Sequence, residues 1–410
     1  MNVPFFRVDA GGQELRYLRD VLDSGWLTSG NRVLDFEAAF GSAVGARHAI
    51  AVNSCTAGLH LACEAAGVGP GSEVLVPTLT FTATAEVVEY LGGRVRLVDV
   101  DPTTGLLTPE LVADALDRHP GVSCVMPVHF AGRACAMRGD EADPGIVDVC
   151  AARGVSVVED AAHAFPTRHE DGSMVGGSIG STACCFSFYA NKTITTGEGG
   201  MVTTDDDEIA TRIRRMRLHG IDRSAWDRHT RIGAAWEYDV VAAGYKYNLT
   251  NIAAAIGLAQ LERADEFRAA RQDLVTRYLE RLDGIDGLRL PAVPAAMEDH
   301  SWHLFVVHLD PASGLERQAF MDGLAERGIG TSVHYKPLHR MTHWSRTALV
   351  PDGPIPAAFP GAESWFEGCV SLPLFPSMTD AEFEAVCDAV IAVSRASRGS
   401  ATPVRTAETR

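Results

Sequence analysis

Short apolar runs alternate with segments of helical periodicity through the first half of the chain. Each run is nearly continuous in apolar residues, which is typical of parallel strands that are covered on both faces. Regular alternation of strands and helices predicts an α/β sheet with right-handed crossovers. The predicted strands are 48–52, 73–77, 95–100, 122–126 and 155–159, and the predicted helices between them are 56–66, 81–91, 109–117 and 143–153.

Helical periodicity also flanks this region. It predicts helices at 11–24 and 33–44 before the alternating segment and at 205–218 after it. Residues 219–243 are polar and show no clear period, which is typical of a functional or disordered loop. A helix that runs to Leu282 follows.

A second region begins after glycine- and proline-containing residues near 283–296 break the helical pattern. Its predicted elements are a strand at 301–309, a helix at 317–327, a strand near 331–335 and a final helix at 379–396. We therefore expect a large α/β domain over residues 1–250 and a smaller C-terminal domain over 251–397 that includes the linking helix. Residues 398–410 are expected to be a disordered tail.

Composition narrows the classes of function. The formal net charge is −17 over 410 residues, which disfavours nucleic acid and anionic membranes as partners. No apolar run approaches the ~20 residues that a membrane span requires. The nine cysteines are scattered without a CxxC pair, so we expect reduced thiols in a cytoplasmic protein and no metal site.

Residues 154–204 contain the strongest chemical signal. An apolar strand ends in the acid pair Glu159-Asp160, and about thirty residues later an aromatic-rich segment ends at Lys192, beside the glycine cluster 197–200. An acid at a strand end and a lysine in a tight loop are what a pyridoxal phosphate (PLP) enzyme needs. The acid keeps the pyridinium nitrogen protonated, and the lysine binds the cofactor aldehyde covalently.

Other polar or aromatic residues follow neighbouring strands. Ser54-Cys55-Thr56 opens a helix, where backbone N–H groups suit a phosphate, although a plain N-cap explains the same residues. Phe81 could stack on a planar cofactor or could belong to the core. Since the carboxyl ends of parallel strands share one edge of a sheet, we expect these groups to surround one crevice.

Four motifs occur together in order: Asp160-Ala-Ala-His163, 186–192, 197–200 and 244–249. Together they resemble the DegT/DnrJ/EryC1/StrS family of nucleotide-sugar aminotransferases. The resemblance extends from Ser24 to Pro376 and implies PLP-dependent fold type I, which is aspartate aminotransferase-like. That fold has a large, mostly parallel seven-stranded sheet domain and a smaller C-terminal α+β domain. Several segments are most similar to the family branch that makes 4-amino-4-deoxy-arabinose from a UDP-4-keto-pentose.

The resemblance also implies roles for individual residues. Lys192 would anchor PLP and move a proton, Asp160 would pair with the pyridine nitrogen, and His163 would contact the ring hydroxyl. Phe81 would stack on the ring. Three residues would hold the phosphate within one subunit, namely Cys55, Thr56 and Ser187. Asn248 would reach the phosphate of the neighbouring subunit in a homodimer with shared active sites, with Lys246 as the alternative.

The implied reaction moves an amino group from glutamate, through pyridoxamine phosphate, to the 4-keto position of a nucleotide-linked sugar. A UDP-4-keto-pentose is the first expectation, and a dTDP-4-keto-6-deoxyhexose or a 3-keto sugar is the alternative. The product would serve glycan or natural-product biosynthesis. Candidate substrate residues are Thr28, Tyr189, Arg228, Arg231 and His334, of which the two arginines would bind the diphosphate.

Two other classes fit the sequence less well. A non-catalytic, PLP-binding regulator would need a DNA-binding segment, and neither a helix-turn-helix pattern nor a basic footprint is present. A nicotinamide-dependent oxidoreductase would need GxGxxG directly after its first strand, but Gly67–Gly71 follows a helix. Family dehydratases carry histidine in place of the lysine, so Lys192 also argues against that branch.

Overall fold

A seven-stranded sheet forms the centre of the larger part of the molecule. The computed structural model describes residues 1–222, 238–351, 354–355 and 357–399. The strands of the sheet are β1 (His48–Val52), β2 (Glu73–Pro77), β3 (Arg94–Val98), β4 (Val122–Val125), β5 (Ser156–Asp160), β6 (Ala183–Ser187) and β7 (Gly200–Thr204).

Their order across the sheet is β1-β7-β6-β5-β4-β2-β3. All pairings from β6 to β3 are parallel, whereas β7 runs antiparallel to both β6 and β1. The expected mostly parallel seven-stranded sheet is therefore confirmed. The parallel strands β5 and β6 lie side by side, so the acid pair and the segment that leads to Lys192 leave the sheet at the same edge.

In the described part of the chain, six α-helices precede or connect these strands, and a seventh follows β7. They are α1 (Glu14–Ser24), α2 (Asn31–Val44), α3 (Cys55–Ala65), α4 (Ala83–Tyr90), α5 (Pro109–Arg118), α6 (Ile146–Ala151) and α7 (Asp207–Met216). The helix predicted at 143–153 is shorter than expected. Asp140 accepts hydrogen bonds from the N–H groups of Ala142 and Asp143, and Asp148 accepts one from Gly145, so a turn occupies the predicted first positions.

The C-terminal part has a separate antiparallel sheet in the order β10-β9-β8. Its strands are β8 (Leu288–Arg289), β9 (Phe305–Leu309) and β10 (Cys369–Leu372), and the accompanying helices are α8 (Asn251–Glu262), α9 (Ala264–Leu282), α10 (Arg317–Ala325), α11 (Trp344–Thr347), α12 (Pro360–Gly368) and α13 (Asp380–Gly399). The single helix expected up to Leu282 is thus two helices. They break at Arg263, whose side chain binds both Asp9 and Glu266.

Two strand predictions in this part need correction. The prediction of a strand near 331–335 was wrong. Of these residues only Ser332 pairs with a neighbour, in an isolated bridge to Ser371. The strand predicted at 301–309 begins at Phe305, because the N–H groups of Ser301 and Leu304 donate to carbonyl groups of the loop after β4. Residues 301–304 consequently join the small sheet to the edge of the large one.

Both ends of the described chain pack in the C-terminal part of the molecule, while the predicted limits of the two domains stay a prediction. Val3 forms a bridge with Ile329, and Arg7 forms an ion pair with Glu382 at 2.6 Å. The first residues thus contact the C-terminal part. The last helix reaches Gly399, two residues into the expected tail, and residues 400–410 lie outside the described part of the chain.

Aromatic packing fixes the segment that carries Lys192. The Phe40 ring of α2 lies 5.0 Å from Phe186 on β6 and 5.4 Å from Phe188. All three rings are buried, so α2 clamps the end of β6 and the turn that follows it. Among the described residues, no helix is long and apolar enough to cross a membrane, and no cluster of side chains suits a metal ion.

Candidate active site

Asp160 is the acid that faces the crevice. Successive side chains of a strand point to opposite faces, so Glu159 and Asp160 are separated by β5. Glu159 is fully buried against His129, with 2.8 Å between His129 Nε2 and Glu159 Oε2. The Asp160 carboxylate instead accepts hydrogen bonds from Thr84 Oγ1 at 2.7 Å and from the Ala162 N–H at 3.1 Å.

Burial raises the pKa of Asp160, and its hydrogen bonds and the charge of Lys192 work in the opposite direction. A carboxylate in this position gains from a cation placed beside it, because the cation offsets the cost of desolvation. The protonated nitrogen of a pyridine ring supplies such a cation together with a hydrogen-bond donor.

Lys192 follows β6 in a tight turn, in which its N–H donates to the carbonyl of Tyr189 at 2.9 Å. Burial lowers the pKa of Lys192 to about 8, against the opposing effects of Cys55 and Asp160. Its usual value is near 10.5. A lysine with a lowered pKa has more of the neutral amine that attacks an aldehyde, which is the property that the predicted role of Lys192 requires.

The N-terminus of α3 meets β7 at Gly200. A Cβ atom on Gly200 would lie only 2.7 Å from the backbone nitrogen of Cys55, so this close approach requires glycine. Ser187 pairs with Gly200 across β6 and β7, which brings its hydroxyl to the same end of the helix. Ser54 caps α3 by accepting from the Ala57 N–H at 3.1 Å. The start of α3, which includes Thr56, thus combines a capped helix N-terminus with a close approach to Gly200, and a helix N-terminus suits a phosphate.

His163 is held on both ring nitrogens. Its Nδ1 accepts from the N–H of Ala131 at 3.3 Å, and its Nε2 lies 3.0 Å from the hydroxyl oxygen of Tyr335. Burial, with Lys192 and His334, lowers the pKa of His163 well below its usual value. The imidazole is therefore neutral.

Phe81 is 58% exposed, and its ring lies 6.2 Å from that of Tyr335. This exposure argues against the core alternative and favours a ring that covers a ligand. Its partner Tyr335 comes from the C-terminal part of the chain. The crevice thus has walls from both the large sheet and the later segment.

Asn248 and Lys246 lie next to each other at the end of β1. The Asn248 backbone bridges Val52, its Nδ2 donates to Ser29 Oγ at 2.7 Å, and its Oδ1 accepts from Lys246 Nζ. Because the two side chains bind one another, they lie at the same place, and their positions do not distinguish which of them would reach a neighbouring subunit. The choice between them stays a prediction.

The predicted substrate residues have different settings. Tyr189 and Thr28 are exposed. His334 is buried with its Nδ1 2.8 Å from Ser371 Oγ, and burial with the charge of Lys192 lowers its pKa to about 4. Arg228 and Arg231 lie outside the described residues. The assignment of all five to substrate stays a prediction.

Comparison with known proteins fixes the family. The model of the DegT/DnrJ/EryC1/StrS aminotransferase family matches residues 8–391. The chain belongs to this family. It is a PLP-dependent sugar aminotransferase, as the sequence motifs predicted. The more specific expectation, a UDP-4-keto-pentose enzyme, has no such support from the comparisons.

Relatives and solved structures match over nearly the whole chain. The spore coat polysaccharide biosynthesis protein SpsC of Bacillus subtilis is 41% identical over 382 residues, 93% of this chain and 94% of SpsC. The aminotransferase TlmJ of Streptoalloteichus hindustanus has a TM-score of 0.82 at 33% identity, covering 97% of this chain and 99% of TlmJ. Spr1654 of Streptococcus pneumoniae, solved in PLP and PMP forms, has a TM-score of 0.85 at 29% identity, covering 97% of this chain.

The residues of this family member fit PLP. The buried carboxylate of Asp160 suits a protonated ring nitrogen, the Lys192 amine suits the aldehyde, and the approach of α3 to Gly200 suits the phosphate. When bound, PLP supplies an electron sink for the carbon that gains or loses a proton. Asp160 would keep the ring nitrogen protonated and Lys192 would carry the proton, and both roles stay predictions.

Sequence reasoning missed three residues of this site in the sugar aminotransferase. Thr84 donates to Asp160, Tyr335 binds His163, and the ring of His303 lies 4.4 Å from that of His163. Tyr335 directly follows the predicted His334, so its place in the same motif was an available signal. Nothing in the sequence marked Thr84 or His303 as a site residue, since a threonine within a helix and a lone histidine are common core residues.

Proposed function

We propose that this sugar aminotransferase moves the amino group of glutamate to the 4-keto carbon of a nucleotide-linked sugar. Bound PLP would carry the amino group between the two substrates and would end in its starting form. Glutamate would leave as its 2-oxo acid, and the keto group of the sugar would become an amine. Lys192 moves a proton in each half of this transfer, so no added acid or base is needed.

The observation that carries this proposal is the state of Lys192. Its pKa of about 8 and its Coulombic interaction with Asp160 support an amine that can both attack an aldehyde and exchange a proton near the acid proposed to pair with the ring nitrogen. A placed base of this kind typically contributes on the order of 10²–10⁴-fold to a proton transfer. A purely structural lysine would be paired with a carboxylate and would keep a high pKa.

A second copy of the chain would complete the site in this proposal. Phe81 and Tyr189 are exposed at the crevice although both are aromatic. Leucines of α1, α2 and the loop between them are exposed as well, among them Leu15, Leu22, Leu27 and Leu34. Large apolar side chains exposed in this way are typical of a subunit interface. A homodimer in which Asn248 or Lys246 reaches the partner's phosphate accounts for these features.

The sugar is the least constrained part of the proposal. A UDP-4-keto-pentose rests on the resemblance of segments such as 127–132 and 302–305, and a dTDP-4-keto-6-deoxyhexose or a 3-keto sugar is the alternative. SpsC is named for polysaccharide biosynthesis, which favours a glycan product over a free amino sugar. Arg228 and Arg231 are proposed to bind the diphosphate, since the guanidinium group matches phosphate oxygens in geometry.

A substrate panel tests this proposal. The purified enzyme with PLP and glutamate is offered UDP-4-keto-pentose, dTDP-4-keto-6-deoxyhexose and a dTDP-3-keto-6-deoxyhexose, and amine products are identified by mass. We expect one 4-keto sugar to be aminated in amounts that match the 2-oxoglutarate formed. Amination of the 3-keto sugar alone would refute carbon 4 as the site of amination. If a sugar is aminated with another amino donor but not with glutamate, glutamate is refuted as the donor.

A further inference from the structure

Three residues form a hydrogen-bonded chain that ends at Tyr335. The N–H of Ala131 lies 3.3 Å from His163 Nδ1, and His163 Nε2 lies 3.0 Å from the Tyr335 hydroxyl oxygen. A backbone N–H can only donate, so Nδ1 of His163 accepts and carries no proton. The proton of the neutral imidazole is then on Nε2, which donates to the oxygen of Tyr335.

The surroundings of His163 hold this arrangement in place. The ring of His303 lies 4.4 Å away, and the ring of Phe130 lies 5.8 Å away. The Tyr335 ring itself is stacked at 6.0 Å with an interplanar angle of 29°. Burial keeps the imidazole neutral, so a second proton does not compete for Nδ1. The ring has one orientation and one tautomer.

As a consequence, the proton of the Tyr335 hydroxyl remains available to another acceptor. Within the described part of the chain, the hydrogen-bond partner of this hydroxyl is His163. In that bond His163 donates and the hydroxyl oxygen of Tyr335 accepts. Burial and the charge of Asp160 raise the pKa of Tyr335, so the phenol stays protonated and can donate.

Tyr335 lies among the residues that are predicted to hold the cofactor ring. Its ring is 6.2 Å from the ring of Phe81 and 5.9 Å from that of Phe130, and burial and the charge of Asp160 raise the pKa of its hydroxyl. Asp160 and Phe81 are the two residues assigned to the nitrogen and the face of the ring. The Tyr335 hydroxyl is thus in the same crevice, on the side where His163 stands.

We propose that Tyr335 donates a hydrogen bond to the ring hydroxyl oxygen of bound PLP, and that His163 acts through Tyr335 as a positioning residue. This assignment replaces the direct contact that the family resemblance implies for His163. It rests on PLP binding and not on which sugar is aminated.

The visible absorbance of the bound cofactor, titrated with pH in the absence of substrate, tests this assignment. Removal of a donor to a charged oxygen raises the pKa of the absorbance transition, because the deprotonated state loses a stabilising contact. For Tyr335→Phe we expect a rise of about 1–2 pKa units, the usual worth of a hydrogen bond to a charged group. The matched control is Tyr90→Phe, an exposed tyrosine whose hydroxyl binds Glu86 on the same helix, and it should leave the transition unchanged.

Variants of His163 separate the two assignments. If His163 acts through Tyr335, His163→Leu shifts the transition by less than Tyr335→Phe, His163→Gln restores most of the shift, and the double variant matches Tyr335→Phe alone. A full shift in His163→Leu, or additive shifts in the double variant, would overturn the proposal. Should Tyr335→Phe fail to fold, the size of the His163→Leu shift decides by itself. Failure of the enzyme to aminate any offered sugar leaves this measurement intact.

Discussion

Glu159 and Asp160 are adjacent in sequence, yet their carboxylates lie on opposite faces of β5. Glu159 is enclosed with His129 at 2.8 Å, whereas Asp160 takes a hydrogen bond from Thr84 at 2.7 Å in the crevice beside Lys192. Thr80 extends this second contact, with 2.8 Å between its hydroxyl oxygen and that of Thr84. One carboxylate is thus part of the packed interior, and the other lies in the crevice proposed to bind PLP.

This separation predicts different losses in two isosteric variants. Asp160→Asn removes the charge that keeps a ring nitrogen protonated, so turnover should fall on the order of 10²-fold or more. Glu159→Gln weakens the buried contacts with His129 and Ser181, which lie away from the crevice, so turnover per folded enzyme should stay near normal while unfolding free energy drops by ~1–3 kcal/mol. Steady-state rates and denaturant unfolding of both variants make the comparison. Equal loss of turnover in both would contradict it.

A methyl group on Gly200 should damage cofactor binding. The Cβ atom of Gly200→Ala would lie 2.7 Å from the backbone nitrogen of Cys55, which forces α3 away from β7 and disturbs the phosphate end of the site. Overpacking of this kind costs ~1–3 kcal/mol. We expect PLP to dissociate at least about tenfold more readily. Gly69→Ala is the matched control, since no atom lies within 4 Å of its added Cβ, and it should retain PLP.

The rate of PLP capture by apoenzyme should depend on pH through Lys192. Only the neutral amine attacks the aldehyde, and burial lowers the pKa of this amine to about 8. The capture rate should therefore rise about tenfold per pH unit below that value and level off above it. Stopped-flow absorbance from pH 6 to pH 10 follows the reaction. A rate that keeps rising toward pH 10 would show an ordinary, solvated lysine.

Shared active sites predict complementation between two inactive variants. Lys192→Ala and Asn248→Ala are each expected to be nearly inactive as homodimers. In a mixed dimer both substitutions fall in one site and the other site is intact, so exchange of subunits should restore about a quarter of wild-type activity. The assay compares each variant alone with the mixture after subunit exchange. A mixture no more active than its components would argue for independent sites or for Lys246 as the bridging residue, which Lys246→Ala in place of Asn248→Ala decides.

The features that could be predicted from the sequence are those that depend on a local pattern of residues. The apolar run 155–159 and the acids at its end were sufficient to place Asp160 at a strand terminus, and the glycine cluster 197–200 distinguished Lys192 from a solvated lysine. The continuous strands of the large sheet were equally visible, because burial on both faces removes the polar positions that blur a strand.

Contacts between distant segments could not be read in this way. The break at Arg263 depends on Asp9, some 250 residues away, so helical periodicity alone predicts one long helix. Likewise, the pairing of Tyr335 with His163 joins residues on separate parts of the fold. Residues 331–335 have strand-like composition, but they turn toward the crevice after a single bridge at Ser332.

The identity of the lysine that holds PLP is the centre of this account, and the sequence makes it unusually easy to test. Lysine occurs at only three positions, Lys192, Lys246 and Lys336. Borohydride reduction of the yellow holoenzyme, followed by digestion and peptide mass analysis, identifies which of them carries the cofactor. We predict one pyridoxyl group per chain, on Lys192, and its loss in Lys192→Ala but not in Lys336→Arg. Modification of Lys246 or Lys336 in the native enzyme, with Lys192 unmodified, would contradict the account.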